Sequence, residues 1–161
     1  MEKDRLKYTI DRFDHYFDSV NNKTAVYIAI NTFVTGGIIV LLTQTNLVCD
    51  MTSFGKGCIW LLLFLGITSL IMLAVASIPF FTKKPNSLYY FGSVSKMEKS
   101  EFKNKSKNYS NENELHDLRS QTYILAKGLT KKFTWLKQAG VFLVIQFVLL
   151  FIILANILIN Q

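Results

Sequence analysis

Three long stretches of the sequence lack any charged residue. No Asp, Glu, Lys or Arg occurs in residues 24–49, 57–82 or 138–161. Each stretch exceeds the roughly 20 residues that a helix needs to cross a hydrocarbon core of about 30 Å. Because three such spans leave too little chain for a large soluble catalytic domain, the sequence excludes a cytosolic globular enzyme.

Cysteine and proline are also scarce, with two of each. Cys49 and Cys58 fall at the loop between the first two uncharged stretches, and their spacing allows their Cα atoms to come within the bridging limit of about 7 Å. An oxidising exterior would favour a disulfide, and two unreactive thiols at helix ends are the alternative. Pro79 lies near the end of the second stretch, where we expect it to end or kink the helix.

The sequence also lacks a recognisable catalytic motif. The sequence contains no glycine-rich phosphate loop of the P-loop or dinucleotide-binding type. His15 and His116 lie in separate segments, and neither belongs to a metal-ligand spacing. We therefore expect no catalytic residue, no metal site, no cofactor and no enzymatic activity.

The basic residues are distributed unevenly over the segments between the uncharged stretches. Of the 18 Lys and Arg residues, five precede the first stretch, Lys56 alone falls in the next loop, and the remaining twelve lie between Lys83 and Lys137. Basic residues favour the cytoplasmic side. The predicted order is a cytoplasmic N-terminal helix (1–23), a first transmembrane helix (24–43), an extracytoplasmic loop (44–57), a second transmembrane helix (58–81), a cytoplasmic helical segment (82–137) and a third transmembrane helix (138–160), with the C-terminus outside.

The N-terminal segment has a helical period. One stripe, at alternating steps of four and three, is formed by Leu6, Ile10, Phe13, Phe17, Val20, Thr24 and Tyr27. A 3.5-residue seam is typical of a helix packed in a bundle, and an interfacial amphipathic helix is the alternative. With no Pro or Gly before the first span, we expect one helix over about residues 3–42. The acidic residues of this segment favour a folded helix over a signal peptide.

The central segment predicts a helical hairpin. Ser95 and Glu98 have the spacing of a capping box, which opens a short helix that ends near Lys107. A polar link follows, and a second helix from about Glu112 meets no proline before the end of the chain, so it continues into the third span. The predicted fold is thus all-α: three transmembrane helices, an N-terminal amphipathic helix and a cytoplasmic helical hairpin.

Two groups of residues stand out as candidate functional positions. In the first span, Asn31, Gly36 and Gly37 interrupt the apolar character, which indicates close helix packing or, alternatively, a gate. On the cytoplasmic side, aromatic and basic residues suit either a stacked nucleobase with a paired phosphate or anchoring at the membrane interface. This aromatic and basic group comprises Tyr89, Tyr90, Phe91, Tyr123, Lys127, Lys131, Lys132, Phe133 and Trp135.

The order of several short motifs resembles the small transmembrane effectors of bacterial Pycsar anti-phage systems. The matching elements are Asn21-Asn22-Lys23-Thr24-Ala25 with Asn31, Pro79, Tyr90-Phe91-Gly92-Ser93, Lys96-Met97-Glu98, Gln121 and Lys131-Lys132-Phe133. Thr24 and an Asn/Ser-rich link between the central helices depart from the family pattern. The resemblance extends from about Phe13 to Val148.

The resemblance implies a sensor and an effector in one chain. Such proteins respond to a cyclic pyrimidine nucleotide, cUMP or cCMP, made by a companion cyclase, and then disrupt the bacterial inner membrane in abortive infection. On this reading the partners are the nucleotide, the lipid bilayer and further copies of the chain in a homo-oligomer, without nucleic acid. The residues that it assigns to ligand binding are Asn22, Lys23, Tyr90, Phe91, Gln121, Lys131 and Lys132.

Two other functions fit the pattern of spans. A constitutive small channel or transporter subunit is disfavoured because no charged residue lies inside any span. A membrane scaffold could instead dock a cytosolic partner on residues 95–137.

Overall fold

The described part of the chain folds into five helices. The computed structural model describes residues 1–44, 51–79 and 87–159. In these ranges the helices are α1 (Glu2–Thr43), α2 (Ser53–Ser77), α3 (Phe91–Val94), α4 (Lys99–Lys107) and α5 (Asn111–Ile159), and no strand occurs in them. Because α1, α2 and α5 are each long and apolar enough to cross a membrane, the predicted all-α fold with three spanning helices is confirmed.

α1 and α5 each continue through a predicted boundary between a cytoplasmic segment and a transmembrane helix. α1 continues from Glu2 to Thr43 without a break, close to the predicted limits of residues 3–42. α5 begins at Asn111, where the Ser110 hydroxyl accepts a hydrogen bond from the Asn113 amide, and it continues to Ile159. The continuity of these two helices is therefore confirmed.

The chain forms two compact units. The polar unit comprises Met1–Ser19 with Pro79–Lys131, and the apolar unit comprises Val20–Ile78 with Lys132–Gln161. In the polar unit, the stripe residues Leu6, Ile10, Phe13 and Phe17 of α1 are half-buried, while Leu118 of α5 is fully buried.

The core of the apolar unit takes side chains from all three long helices. Its buried members include Ile38 of α1, Ile59 and Leu62 of α2, and Ile153 of α5. Cys58 is also buried in this core. Cys49 lies outside the described residues, so the disulfide between Cys49 and Cys58 stays a prediction.

Polar side chains in the apolar unit bond between helices. The Asn31 amide donates to the Gly66 carbonyl at 3.3 Å, and the Thr35 hydroxyl donates to the Asn31 side-chain oxygen at 3.1 Å. The absence of a side chain at Gly66 is required here, because a Cβ would come within 2.3 Å of the Thr35 hydroxyl. The hydrogen bond between α1 and α2 is the contact that a buried Asn is expected to make.

The predicted packing glycines differ from Gly66. A Cβ placed on Gly36 or Gly37 would meet no atom within 4 Å. Close approach of α1 and α2 within one chain therefore depends on Gly66, which is not among the predicted packing positions. A contribution of Gly36 and Gly37 to packing or gating stays a prediction.

The end of α2 and the start of α4 can be compared with the local sequence around them. α2 ends at Ser77, and its capping residue Ile78 is extended, as expected of a residue that precedes a proline. The start of the short central helix was predicted wrongly, because α4 begins at Lys99, with Glu98 rather than Ser95 at its cap. The Ser95 hydroxyl donates to the Gly92 carbonyl at 3.4 Å, since Ser95 closes the preceding turn α3.

Candidate ligand-binding cleft

The polar unit contains a cleft of about 590 Å³. It lies between the 87–88 segment, α4, the α4–α5 link and the first turns of α5, and its size is in the range of small-molecule sites. Seven of its 13 lining residues have polar, uncharged side chains. The lining residues are Ser87, Leu88, Met97, Asn104, Lys105, Asn108, Tyr109, Asn113, His116, Asp117, Ser120, Gln121 and Ile124.

Asp117 holds two walls of the cleft together. Its buried carboxylate accepts hydrogen bonds from the Leu88 amide at 3.0 Å and from the Tyr109 hydroxyl at 2.9 Å. Burial, together with the hydrogen bond to Asp117, raises the pKa of Tyr109, which keeps this hydroxyl protonated as a donor. Asp117 on α5 therefore holds Leu88 and Tyr109 in place at the cleft.

Hydrogen bonds close the 87–93 segment upon itself. The Ser87 amide donates to the Ser93 hydroxyl at 3.4 Å, and the Tyr89 amide donates to the Ser87 hydroxyl at 3.0 Å. Ser87 and Ser93 are both buried. This wall of the cleft is thus held by local contacts as well as by Asp117.

Ion pairs attach the first turns of α1 to α5 within the polar unit. Glu114 accepts hydrogen bonds from the Lys3 ammonium and the Tyr89 hydroxyl, and the Lys7 ammonium lies 3.4 Å from it. The bond from Lys3, followed by that from Tyr89, lowers the pKa of Glu114 to about 2. Arg119 binds Glu2 through two parallel hydrogen bonds of 2.9 and 2.8 Å.

The cleft can bind a small polar ligand through hydrogen bonds. Side-chain amides offer donors and acceptors together, and four of them line the cleft: Asn104, Asn108, Asn113 and Gln121. Lys105 is a cationic lining residue, and its ammonium pairs with Glu101 at 2.8 Å. No group of three or more His, Cys, Asp or Glu side chains that could hold a metal occurs within the described ranges.

A family model described as the Pycsar effector protein domain matches residues 5–159. The chain belongs to the Pycsar effector family. It is thus a membrane protein and a transmembrane effector of anti-phage defence, in a family of non-enzymatic effectors, and the predicted family is confirmed. Comparison with curated proteins and with solved structures found no match.

One residue assigned to ligand binding in this Pycsar effector lines the cleft, and that residue is Gln121. Tyr90 and Phe91 contact each other instead, with ring centroids 5.1 Å apart, and neither is a lining residue. The Tyr90 ring can pack against the backbone at Gly92 because this residue has no side chain, and a Cβ there would lie 2.6 Å from the ring. Lys131 is exposed on α5.

The remaining assigned residues belong to the apolar unit. The Lys132 ammonium donates to the Asn21 side-chain oxygen at 3.1 Å, and its burial lowers the pKa of Lys132. Asn22 and Lys23 are exposed on α1. The assignment of these residues to nucleotide binding stays a prediction.

Most of the lining residues were not predicted, because cations and aromatic rings were the expected features of a nucleotide site. A signal was available in the stretch from Asn104 to Asn113, where side-chain amides recur over ten residues that were interpreted as the end of a helix and a polar link. The role of Asp117 has no comparable signal, since its partners Leu88 and Tyr109 become neighbours only in the folded unit.

Proposed function

We propose that cUMP or cCMP binds the cleft of the polar unit and switches the effector to a state that disrupts the bacterial inner membrane. The observation that carries the proposal is the amide-rich cleft of about 590 Å³, which contains Gln121. Membership of the Pycsar family supports a cyclic nucleotide signal from a companion cyclase. The helices α1, α2 and α5 supply the membrane-spanning part.

The lining suits a pyrimidine base. The hydrogen-bonding edge of uracil or cytosine presents donors and acceptors side by side, and Asn or Gln side chains can match either arrangement. Asn113 and Gln121 lie eight residues apart on α5, which brings them to one face of the helix. On the same helix, the imidazole N–H of His116 can donate a hydrogen bond to an oxygen of the cyclic phosphate.

α5 offers a direct route from ligand to membrane. His116, Asp117 and Gln121 line the cleft, and the same helix continues to Ile159 through the third uncharged stretch. A ligand that binds one position of α5 more tightly than another shifts the population toward it, by no more than its differential affinity. In this proposal several copies assemble for permeation, with the N-terminus and the central segment in the cytoplasm.

Binding to the purified protein tests the site. We expect cUMP or cCMP, but not cAMP, to bind detergent-solubilised effector in titration calorimetry. Replacing Asn113 and Gln121 together by Ala removes two amide contacts and should weaken binding by about tenfold or more. Asn111→Ala is the matched control, because Asn111 begins α5 but does not line the cleft.

Tyr90→Ala measures how far the site extends. If the base stacks on this ring, the variant loses about one to two orders of magnitude in affinity, as expected for base–aromatic stacking. A site confined to the cleft is unaffected by the same change. Equal binding by the Asn113/Gln121 variant and the wild type would place the ligand outside the cleft.

A further inference from the structure

The apolar unit has a groove of about 510 Å³ along the seam between α1 and α5. Its floor is mostly apolar, and two ammonium groups belong to its lining. The lining residues are Lys23, Tyr27, Phe133, Leu136, Lys137, Gly140, Val141, Val144 and Ile145. The groove serves no step of the proposed nucleotide response.

Two contacts fix the register of α1 against α5 at this groove. Lys132 donates to Asn21, and a Cβ on Gly140 would come within 3.1 Å of the Tyr27 ring. These pairs differ by 111 and 113 positions, so the two helices run in the same direction here. Lys23 and Lys137, which differ by 114 positions, therefore lie at nearly the same level.

That level is the polar end of two spanning segments. Lys23 is the last charged residue before the uncharged stretch 24–49, and Lys137 is the last before 138–161. From Lys137 to Ile145 the groove follows α5 for about 12 Å at 1.5 Å per residue. It therefore begins where a bilayer places its headgroups and extends into the depth of the acyl chains.

Two lysine ammonium groups provide the charge at this end of the groove. Neither Lys23 nor Lys137 forms an ion pair with a carboxylate of the described residues, and both side chains are exposed. Val141 and Val144, on the apolar side, are 50% and 63% exposed. Cationic side chains beside an apolar groove match the two parts of an anionic lipid, and basic pockets between transmembrane helices bind such headgroups.

We propose that this groove binds one anionic phospholipid. The lipid phosphate lies between Lys23 and Lys137, and one acyl chain follows Tyr27, Gly140 and Val144. A nucleotide base is a poor occupant, since the lining offers no side-chain amide or carboxylate to its hydrogen-bonding edge. The occupant is therefore the lipid, and the site is separate from the nucleotide cleft of the polar unit.

Native mass spectrometry of the full chain in a mild non-ionic detergent tests the site. Titration with phosphatidylglycerol should give a bound complex at concentrations at which phosphatidylcholine gives none. Loss of both lysines, in Lys23→Ala/Lys137→Ala, should weaken phosphatidylglycerol binding by about tenfold or more. The matched control Lys127→Ala/Lys131→Ala has the same net charge but leaves the groove lining intact, so it should bind like wild type.

Two tryptophan variants test whether an acyl chain occupies the apolar half of the groove. Val144→Trp fills the groove, whereas Val148→Trp adds the same bulk one turn further along α5, at a comparably exposed position outside the lining. We expect only the first to reduce bound lipid. Equal losses from both Trp variants would contradict the acyl-chain path.

Two further results would overturn the lipid site. If the two double-lysine variants lose phosphatidylglycerol equally, binding is diffuse attraction to surface charge. If excess cUMP or cCMP displaces the lipid, Lys23 and Lys137 bind the nucleotide instead. Because the lipid titration contains no nucleotide, its result tests the lipid site independently of the proposed nucleotide trigger.

Discussion

Gln146 is a buried polar residue of α5. It is fully buried in the apolar unit, and neither its amide nitrogen nor its oxygen has a hydrogen-bond partner in the described part of the chain. A buried polar group without a partner costs about 1–3 kcal/mol. The unpaired amide therefore makes the fold less stable than an apolar side chain of the same size would at this position.

Gln146→Leu should raise the melting temperature of the detergent-solubilised protein, because it removes the unpaired amide while nearly keeping the side-chain volume. The free energy of unfolding should increase by about 1–3 kcal/mol. Unfolding is monitored by the fluorescence of Trp60 and Trp135. Gln138→Leu, at an exposed position of α5, serves as the control and should change the melting temperature little. A lower melting temperature for Gln146→Leu would mean that the amide has a partner after all.

Glu114 gives the polar unit a pH-dependent attachment of α1. Its pKa is lowered from 4.5 to about 2, so the unfolded chain binds the proton more readily than the folded one in this interval. The stabilisation is therefore complete above about pH 4.5 and is lost as the pH falls toward 2. Glu114→Gln should remove this dependence, whereas the exposed Glu112→Gln should retain it.

Pepsin cleavage within residues 2–19 provides the measurement for Glu114. Wild type and variants are compared at each pH between 2 and 4.5, which cancels the pH dependence of the protease itself. We expect the wild type to lose protection with falling pH and Glu114→Gln to be cleaved similarly throughout. Identical profiles for the wild type and Glu114→Gln would show that the ion pairs with Lys3 and Lys7 do not hold α1.

At the scale of elements, α1 and α2 are held together at Gly66. Gly66→Ala should lower the melting temperature, because the new methyl group would overlap with the Thr35 hydroxyl and disturb its bond to Asn31. Overpacking of this kind costs about 1–3 kcal/mol. Gly36→Ala is the matched control on α1, where the space is open and Ala favours the helix. Equal destabilisation by both variants would contradict this packing.

The long helices could be predicted from the sequence because their signals are local and repeated. An uncharged stretch and a 3.5-residue period each persist over many residues, so the limits of α1 were predicted to within one or two residues. The start of α4 was not, because the Ser95–Glu98 spacing is short and the turn Phe91–Val94 takes Ser95 away from the cap.

Among the residues that line the candidate cleft, only Gln121 was named from the sequence as a ligand-binding residue, for a related reason. Cationic and aromatic residues are visible in a sequence as candidates, whereas an amide-lined cleft exists only after α4 and the 87–88 segment fold against α5. The contacts that form it join distant positions, such as Leu88 to Asp117, and no spacing in the sequence indicates them.

At the scale of the whole molecule, this Pycsar effector combines a polar unit that contains the cleft with an apolar unit of three spanning helices. We expect a cyclic pyrimidine in the cleft to make the membrane leak. The leak can be measured as the release of a self-quenched dye from liposomes that contain the purified protein, with nucleotide supplied on both sides of the bilayer.

We expect rapid dye release with cUMP or cCMP and little release without nucleotide or with cAMP. For the Asn113→Ala/Gln121→Ala variant, release should require an about tenfold higher nucleotide concentration. Release by the wild type at the same rate without nucleotide would identify a constitutive channel and contradict the nucleotide trigger. A wild type that binds the nucleotide and releases no dye would contradict it too.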